Sequence, residues 1–215
     1  MIVFTCFLYL SCGHVEKNYY ANGKIESEIP YKNKKINGIA VWYYSHGQRS
    51  LEITCKDGVK DGTMTRFYRN GQKETVEHYK NDTLHGTSLK FNEKGGLMLE
   101  SGYKNGKKDG VIKQYYSDGS LFMTGNYIDD QYDGTWEYFD EEGFKVGEGA
   151  FDQGEGILTG YDDMGNITRR VYYKNSIMFK EEIYSRNSQQ IEKIISYKDN
   201  RIADIQIIDN QTAKK

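Results

Sequence analysis

Cysteine is scarce in this chain of 215 residues and poorly placed for its structural roles. Cys6, Cys12 and Cys55 form no CxxC pair and no Cys/His spacing, which excludes a disulfide framework and a zinc site. An excess of positive charge is also missing. With 29 Lys and Arg against 31 Asp and Glu the net charge is −2, so no global basic field exists to gather nucleic acid. Hydrophobic residues make up only 37%, below the roughly 45–50% of ordinary globular domains, which argues against a two-layer core. Beyond the first ten residues, no stretch is apolar enough to cross a membrane. Helical spacing is nearly absent too, with 188–196 the one weak candidate. Disorder does not account for the polarity. The chain has 19 Tyr, 9 Phe and 2 Trp, whereas disordered chains are poor in aromatics. Together with 23 Gly and a single proline, these rings point to many short strands joined by tight turns.

Two glycine series repeat with a step of 24 residues. One runs Gly23, Gly47, Gly71, Gly95, Gly119, Gly143; the other runs Gly38, Gly62, Gly86, Gly110, Gly134. Aromatic residues keep the same step, at Tyr19, Tyr43, Phe67, Phe91, Tyr115, Phe139 and at Tyr31, Tyr79, Tyr103, Tyr127, Phe151, with Cys55 the one substitution. After a shortening by two residues the pattern resumes at Tyr161, Gly165 and Tyr173. Such periodicity marks a repeat architecture. The intervals between glycine-bearing segments are strand-length and alternate, with Leu51, Ile53 and Cys55 on one face and Glu52 on the other. Both glycine series read as turns, the second being a longer Lys/Asp-rich turn such as KDGVKDG at 56–62. The expected fold is therefore all-β: a single-layer antiparallel meander of 24-residue hairpins, its equivalent rings aligned as a ladder. Repeats occupy 19–173 after a short linker at 13–18. Residues 174–210 read as degenerate repeats or a C-terminal cap, and 211–215 as a disordered tail.

The segment YKNGKKDGVIKQYYSDG at 103–119 and its counterpart at 127–143 resemble the MORN-repeat variant of bacterial proteins, of the kind grouped with the YwqK-type antitoxins. The resemblance implies a twisted β-meander with a binding or scaffold role, and its antitoxin grouping implies inhibition of a partner toxin. Architecture of this kind does not fix function.

The apolar run Met1–Leu10, closed by Ser11 and Cys12, resembles a bacterial lipoprotein signal. It is too short to span a bilayer as a helix. Cleavage before Cys12 leaves that cysteine as the lipidated first residue, in the cell envelope. The alternatives are a hydrophobic first strand, or an unprocessed end on a cytoplasmic protein. Acids at Asp129, Asp133 and Asp140 superficially match a calcium loop, but 129–140 is simply the repeat segment aligned with 105–116. The four histidines fall in separate neighbourhoods, and no Ser/His/Asp or Cys/His set is assembled. The expectation is a non-catalytic chain without cofactor or metal, which docks a protein or peptide through large rings, with Trp42, Trp136 and Tyr138 as candidate anchors, the alternative being that these rings simply cover the sheet. The second-turn lysines of the first four repeats, among them Lys104, Lys107 and Lys108, make half of that edge basic, while Asp129, Asp130, Asp133, Asp152 and Glu155 make the other half acidic. The basic half suits an anionic membrane surface if Cys12 is lipidated, the alternative being ordinary solvated turns.

Overall fold

The computed structural model describes residues 13–208. They form nineteen strands and no helix, in an open antiparallel meander, as the periodicity requires. The signal segment with Cys12 and the tail at 211–215 lie outside the described residues. The chain divides into two compact units at Leu84/His85, with Glu93–Gly95 belonging to the first. The first unit contains β1 (His14–Tyr19), β2 (Ile25–Lys32), β3 (Lys35–Ile36), β4 (Gly38–Tyr43), β5 (Arg49–Lys56), β6 (Val59–Phe67), β7 (Lys73–Lys80) and β8 (Thr83–Leu84). The second contains β9 (Gly86–Phe91), β10 (Leu97–Lys104), β11 (Lys107–Tyr115), β12 (Leu121–Ile128), β13 (Gln131–Phe139), β14 (Lys145–Asp152), β15 (Glu155–Tyr161), β16 (Ile167–Lys174), β17 (Ile177–Tyr184), β18 (Ile191–Lys198) and β19 (Arg201–Ile207).

Three sequence expectations need correction. Residues 14–18 belong to strand β1, which pairs with β2 from His14↔Tyr31 to Tyr19↔Ile25, rather than to a linker. The 188–196 stretch is mostly β18, because its isoleucines serve a paired strand. The second glycine series does not lie in turns. Each second hairpin turn closes in two residues with positive φ, such as Asp57–Gly58 (52° and 90°), Asn81–Asp82 (49° and 62°) and Asn105–Gly106 (52° and 83°). That is the type I′ geometry which matches the twist of flanking strands, and Asn and Asp tolerate it better than most residues. Gly62 then falls four residues later, inside β6, with φ 134°. There it stands directly opposite Tyr79. Gly38↔Cys55, Gly86↔Tyr103, Gly110↔Tyr127 and Gly134↔Phe151 repeat the relation. The second series is thus a set of strand glycines facing the ladder residue of the next strand.

Turns at the first series behave as expected. Tyr44 N donates to Gln48 O at 2.7 Å, and Gly47 N donates back to Tyr44 O at 2.7 Å, with Gly47 in the left-handed region at φ 106°. These turns are tied to one another along the edge. The Tyr20 hydroxyl donates to Tyr43 O at 2.5 Å, Tyr44 to Phe67 O at 2.6 Å and Tyr116 to Phe139 O at 2.9 Å. The other edge is laced as well. Lys60 N donates to Asp82 Oδ1 and Asp82 N to Lys60 O; Lys108 and Asp130 repeat both bonds. Each hairpin therefore satisfies backbone groups of the next.

With one layer, burial must come from rings lying on the sheet. A Cβ built on Gly125 would overlap the Trp136 indole, and Cβ atoms on Gly149 and Gly156 would meet the Phe151 ring. We therefore expect Gly125→Ala to destabilise the second unit by about 1–3 kcal/mol through overpacking. Gly143→Ala meets nothing within 4 Å and should cost about 1–2 kcal/mol, from its positive φ alone. Replacing Trp136 by Leu should relieve the first penalty and leave the second unchanged, as read by urea unfolding of the double variants.

Candidate interaction face of the second unit

The strand registers separate two faces in the second unit. One carries the row Glu100, Lys113, Thr124, Glu137, Glu148, Thr159, Arg170, Glu182, each residue paired with the next. This face is charged and tied to tyrosine. Tyr161 donates to Glu148 at 3.0 Å, and Glu182 accepts from Tyr172 at 2.6 Å and from Tyr184 and Lys180 at 3.0 Å each. In the first unit, Tyr43 likewise donates to Glu28 at 2.7 Å. The two aromatic series therefore do not make one ladder. The series of Tyr43 sits on the glutamate face, and that of Tyr127 and Phe151 sits on the opposite face. Strand alternation alone accounts for this, since Tyr43 lies two residues from Val41, which pairs with Glu28 and Glu52, whereas Tyr127 pairs with Gly110, two residues from Ile112.

The opposite face carries the core. Ile112, Trp136 and Phe151 are buried, flanked by Leu99, Met123, Tyr127, Tyr132, Tyr138, Leu158 and Tyr173. Ring centroids lie 4.6 Å apart for Tyr132–Trp136, 5.2 Å for Tyr127–Trp136 and 5.6 Å for Phe151–Tyr173, mostly tilted or edge-on as ring quadrupoles prefer. This corrects the expected role of Trp136. At 2% exposure it is the centre of the core, because Gly125 beneath it leaves room for the indole. Trp42 is half-buried on its own unit's sheet, opposite Ser27 and Leu51. Tyr138 is half-buried too, but it borders an opening.

That opening was not foreseen. Along the core face one row reads Leu99, Gln114, Met123, Tyr138, Gly147, Gly160, Arg169, Ile183. Two consecutive members lack side chains. The result is a hollow of about 190 Å³ lined by Phe122, Tyr138, Val146, Gly147, Leu158, Thr159, Gly160 and Arg169. The Arg169 side chain is 59% exposed at its lip, with Glu181 3.9 Å away. Beside it, a groove of about 340 Å³ runs between the turns of 140–144 and 162–165, lined by Asp140, Phe144, Val146 and Asp162 among others. Phe144 is 71% and Met164 75% exposed there. The sequence signal for this site was a cluster of glycines outside both periodic series between 147 and 160, of which Gly147 and Gly160 line the hollow.

Lysines of the second-turn edge are partly engaged. Lys60 Nζ lies 3.9 Å from the Tyr79 ring centre, Lys108 Nζ 4.7 Å from that of Tyr127, and Lys107 pairs with Asp129 at 3.4 Å. Among the described residues, no three His, Cys, Asp or Glu side chains gather closely enough to hold a metal ion.

Three segments match the model of the MORN repeat variant. They are residues 15–33, 60–81 and 108–129. The matches end at Asn33, Asn81 and Asp129, two 24-residue periods apart, and each of these residues opens a type I′ turn with φ near 50°. They are thus alternate repeats. The hairpins between them keep the same turns and strand pairing. No curated protein matches the chain. The resemblance to YwqK-type antitoxins finds no counterpart in these matches.

Burial holds the Tyr138 hydroxyl proton tightly, with the neighbouring Tyr173 and Tyr132 adding to the effect; its pKa is pushed from 10.0 up to about 12. Burial raises Tyr127 as well. A group bound more tightly by its proton in the folded chain contributes stability that is complete below the unfolded pKa and is lost as pH climbs toward the folded one. We expect unfolding stability to be insensitive to these rings below pH 10 and to fall between pH 10 and about 12. Tyr138→Phe should shrink that fall, as measured by urea melts across the range. An unchanged slope would contradict the burial of this hydroxyl.

Proposed function

We propose that this chain is a non-catalytic MORN-type scaffold whose second unit docks a protein partner at the hollow between Tyr138 and Arg169. The supporting observation is the pair of adjacent glycines, Gly147 and Gly160, in a row that is otherwise filled. They open an apolar recess with aromatic walls and one guanidinium at its rim. Interfaces concentrate their energy in such arrangements, where an anchor side chain enters a pocket and a polar lip fixes orientation. The antiparallel sheet is a suitable platform because both turn edges are cross-linked by hydrogen bonds, so the recess is held open before a partner arrives.

Gly160→Val is the sharpest test. Its backbone φ is not left-handed, and its Cβ would meet the movable Arg169 side chain at 3.1 Å. We expect this variant to keep the β-sheet circular dichroism and to weaken partner capture from the protein's own cell extract at least tenfold, with Arg169→Ala weakening it less. Partners recovered equally by both variants would refute docking at the hollow.

We further infer that Cys12 anchors the chain in the bacterial envelope, on the strength of the Ser11–Cys12 closure of the apolar run, with the lysine edge adding attraction to anionic lipid. Labelled palmitate should enter the wild-type chain and be absent from Cys12→Ala. If neither takes up label, export by this route is wrong, and a cytoplasmic antitoxin acting on a toxin becomes the better account.

A further inference from the structure

The patch around the hollow carries both halves of a contact. The hollow holds about 190 Å³, and an apolar cavity of roughly 150 Å³ is known to accept benzene, so a phenyl ring fits. A phenyl ring stands nearby, lining a groove that shares Val146 with the hollow. Phe144 ends the turn after β13 and is 71% exposed. Its backbone is held on both sides: Phe144 N donates to Asp140 Oδ1 at 2.8 Å, and Asp140 N donates to Phe144 O at 3.0 Å. The ring is therefore displayed by a fixed turn, and little ordering is needed before it binds.

Charge is divided in the same way. The displaying turn carries Asp140, Glu141 and Glu142, the last two exposed. The lip of the hollow carries Arg169, 59% exposed and with its nearest carboxylate, Glu181, at 3.9 Å. Knob and recess, anion and cation, all lie between residues 122 and 169 of one unit. A patch that presents each element with its complement fits another copy of itself across a two-fold axis, where every contact is made twice.

We propose that the occupant of the hollow is Phe144 of a second copy of this chain, with Glu141 and Glu142 facing the Arg169 of that copy, in a reciprocal dimer. This rests on the reading of the hollow as a docking site and names what docks there. An unrelated acidic peptide ending in an aromatic side chain has the same chemistry, and the experiment separates the two.

Sedimentation equilibrium of the full chain should show a monomer–dimer equilibrium. Phe144→Glu should shift it to monomer, and Arg169→Glu should weaken it at least tenfold. Combining Arg169→Glu with Glu141→Lys and Glu142→Lys should restore the dimer, which a misfolded variant could not do. A monomer at all concentrations, or a dimer indifferent to Phe144→Glu, overturns the proposal. A photo-crosslinking residue at position 144, used in cell extract, should join two copies through β13–β16. Crosslinking to a different protein overturns the dimer and leaves the docking reading intact. No crosslink there, with partner capture unaffected by Gly160→Val, overturns both.

Discussion

Each hairpin in this chain depends on the next, because a sheet with one layer has no opposing layer to bury it. An isolated two-stranded hairpin is marginal in water, and here its missing support comes from the sides. Within each compact unit, backbone ladders join neighbouring strands, and both turn edges add further bonds between successive hairpins, such as Tyr44 to Phe67 O and the reciprocal pair of Lys60 and Asp82. The 24-residue period follows from this requirement. Bonds from one turn to the next recur where consecutive hairpins have equal length, and they continue past the two-residue shortening, where Ser176 N donates to Gly154 O at 2.8 Å. Gln189 takes the left-handed position that glycine holds in earlier units, and Asn175–Ser176 closes a second turn without glycine.

The same constraint explains where a site can form. Rings that lie flat on the sheet need glycine beneath them, and the aromatic core consists of such pairs: Trp136 over Gly125, and Phe151 between Gly149 and Gly156. Gly147 and Gly160 belong to the same class of substitution, yet no ring overlaps them, and the Tyr138 ring only borders Gly147 at 3.8 Å. A covered glycine makes core and an uncovered pair makes a recess. The binding candidate is thus an unfilled version of the motif that stabilises its immediate surroundings, one row away from Trp136, which is 2% exposed.

Much of this was legible in the sequence. The period, the all-β class, the meander and the first-series turns follow from glycine and aromatic spacing, since tight turns demand positive φ at fixed intervals. What the spacing concealed was the role of the second series. Glycine serves a turn and a ring-facing strand position equally well, and KDGVKDG contains both uses four residues apart. The two aromatic series looked alike for a related reason. Each series keeps the same 24-residue step, but strand alternation sets Phe139 on the face of Glu137 and Phe151 on the face of Gly149, and the step alone does not show this. Trp136 was read as an exposed anchor because a large ring suits both an interface and a core. Its 2% exposure is decided by Gly125 on the neighbouring strand, a relation that no single segment displays.

The division of labour between the two faces follows from these choices. On the glutamate face, carboxylates such as Glu182 and Glu148 accept tyrosine hydroxyls and lysine ammonium groups of the same sheet, so the strongest acceptors there are already occupied. On the core face, Arg169 approaches Glu181 only at 3.9 Å, and Phe144 and Met164 stand in solvent at the adjoining edge. Unsatisfied apolar area and a loosely paired charge coincide on that side of the second unit. A partner gains most by covering surface where the sheet has least satisfied itself, and the rigidity of the cross-linked turns means that the sheet need not rearrange to receive it.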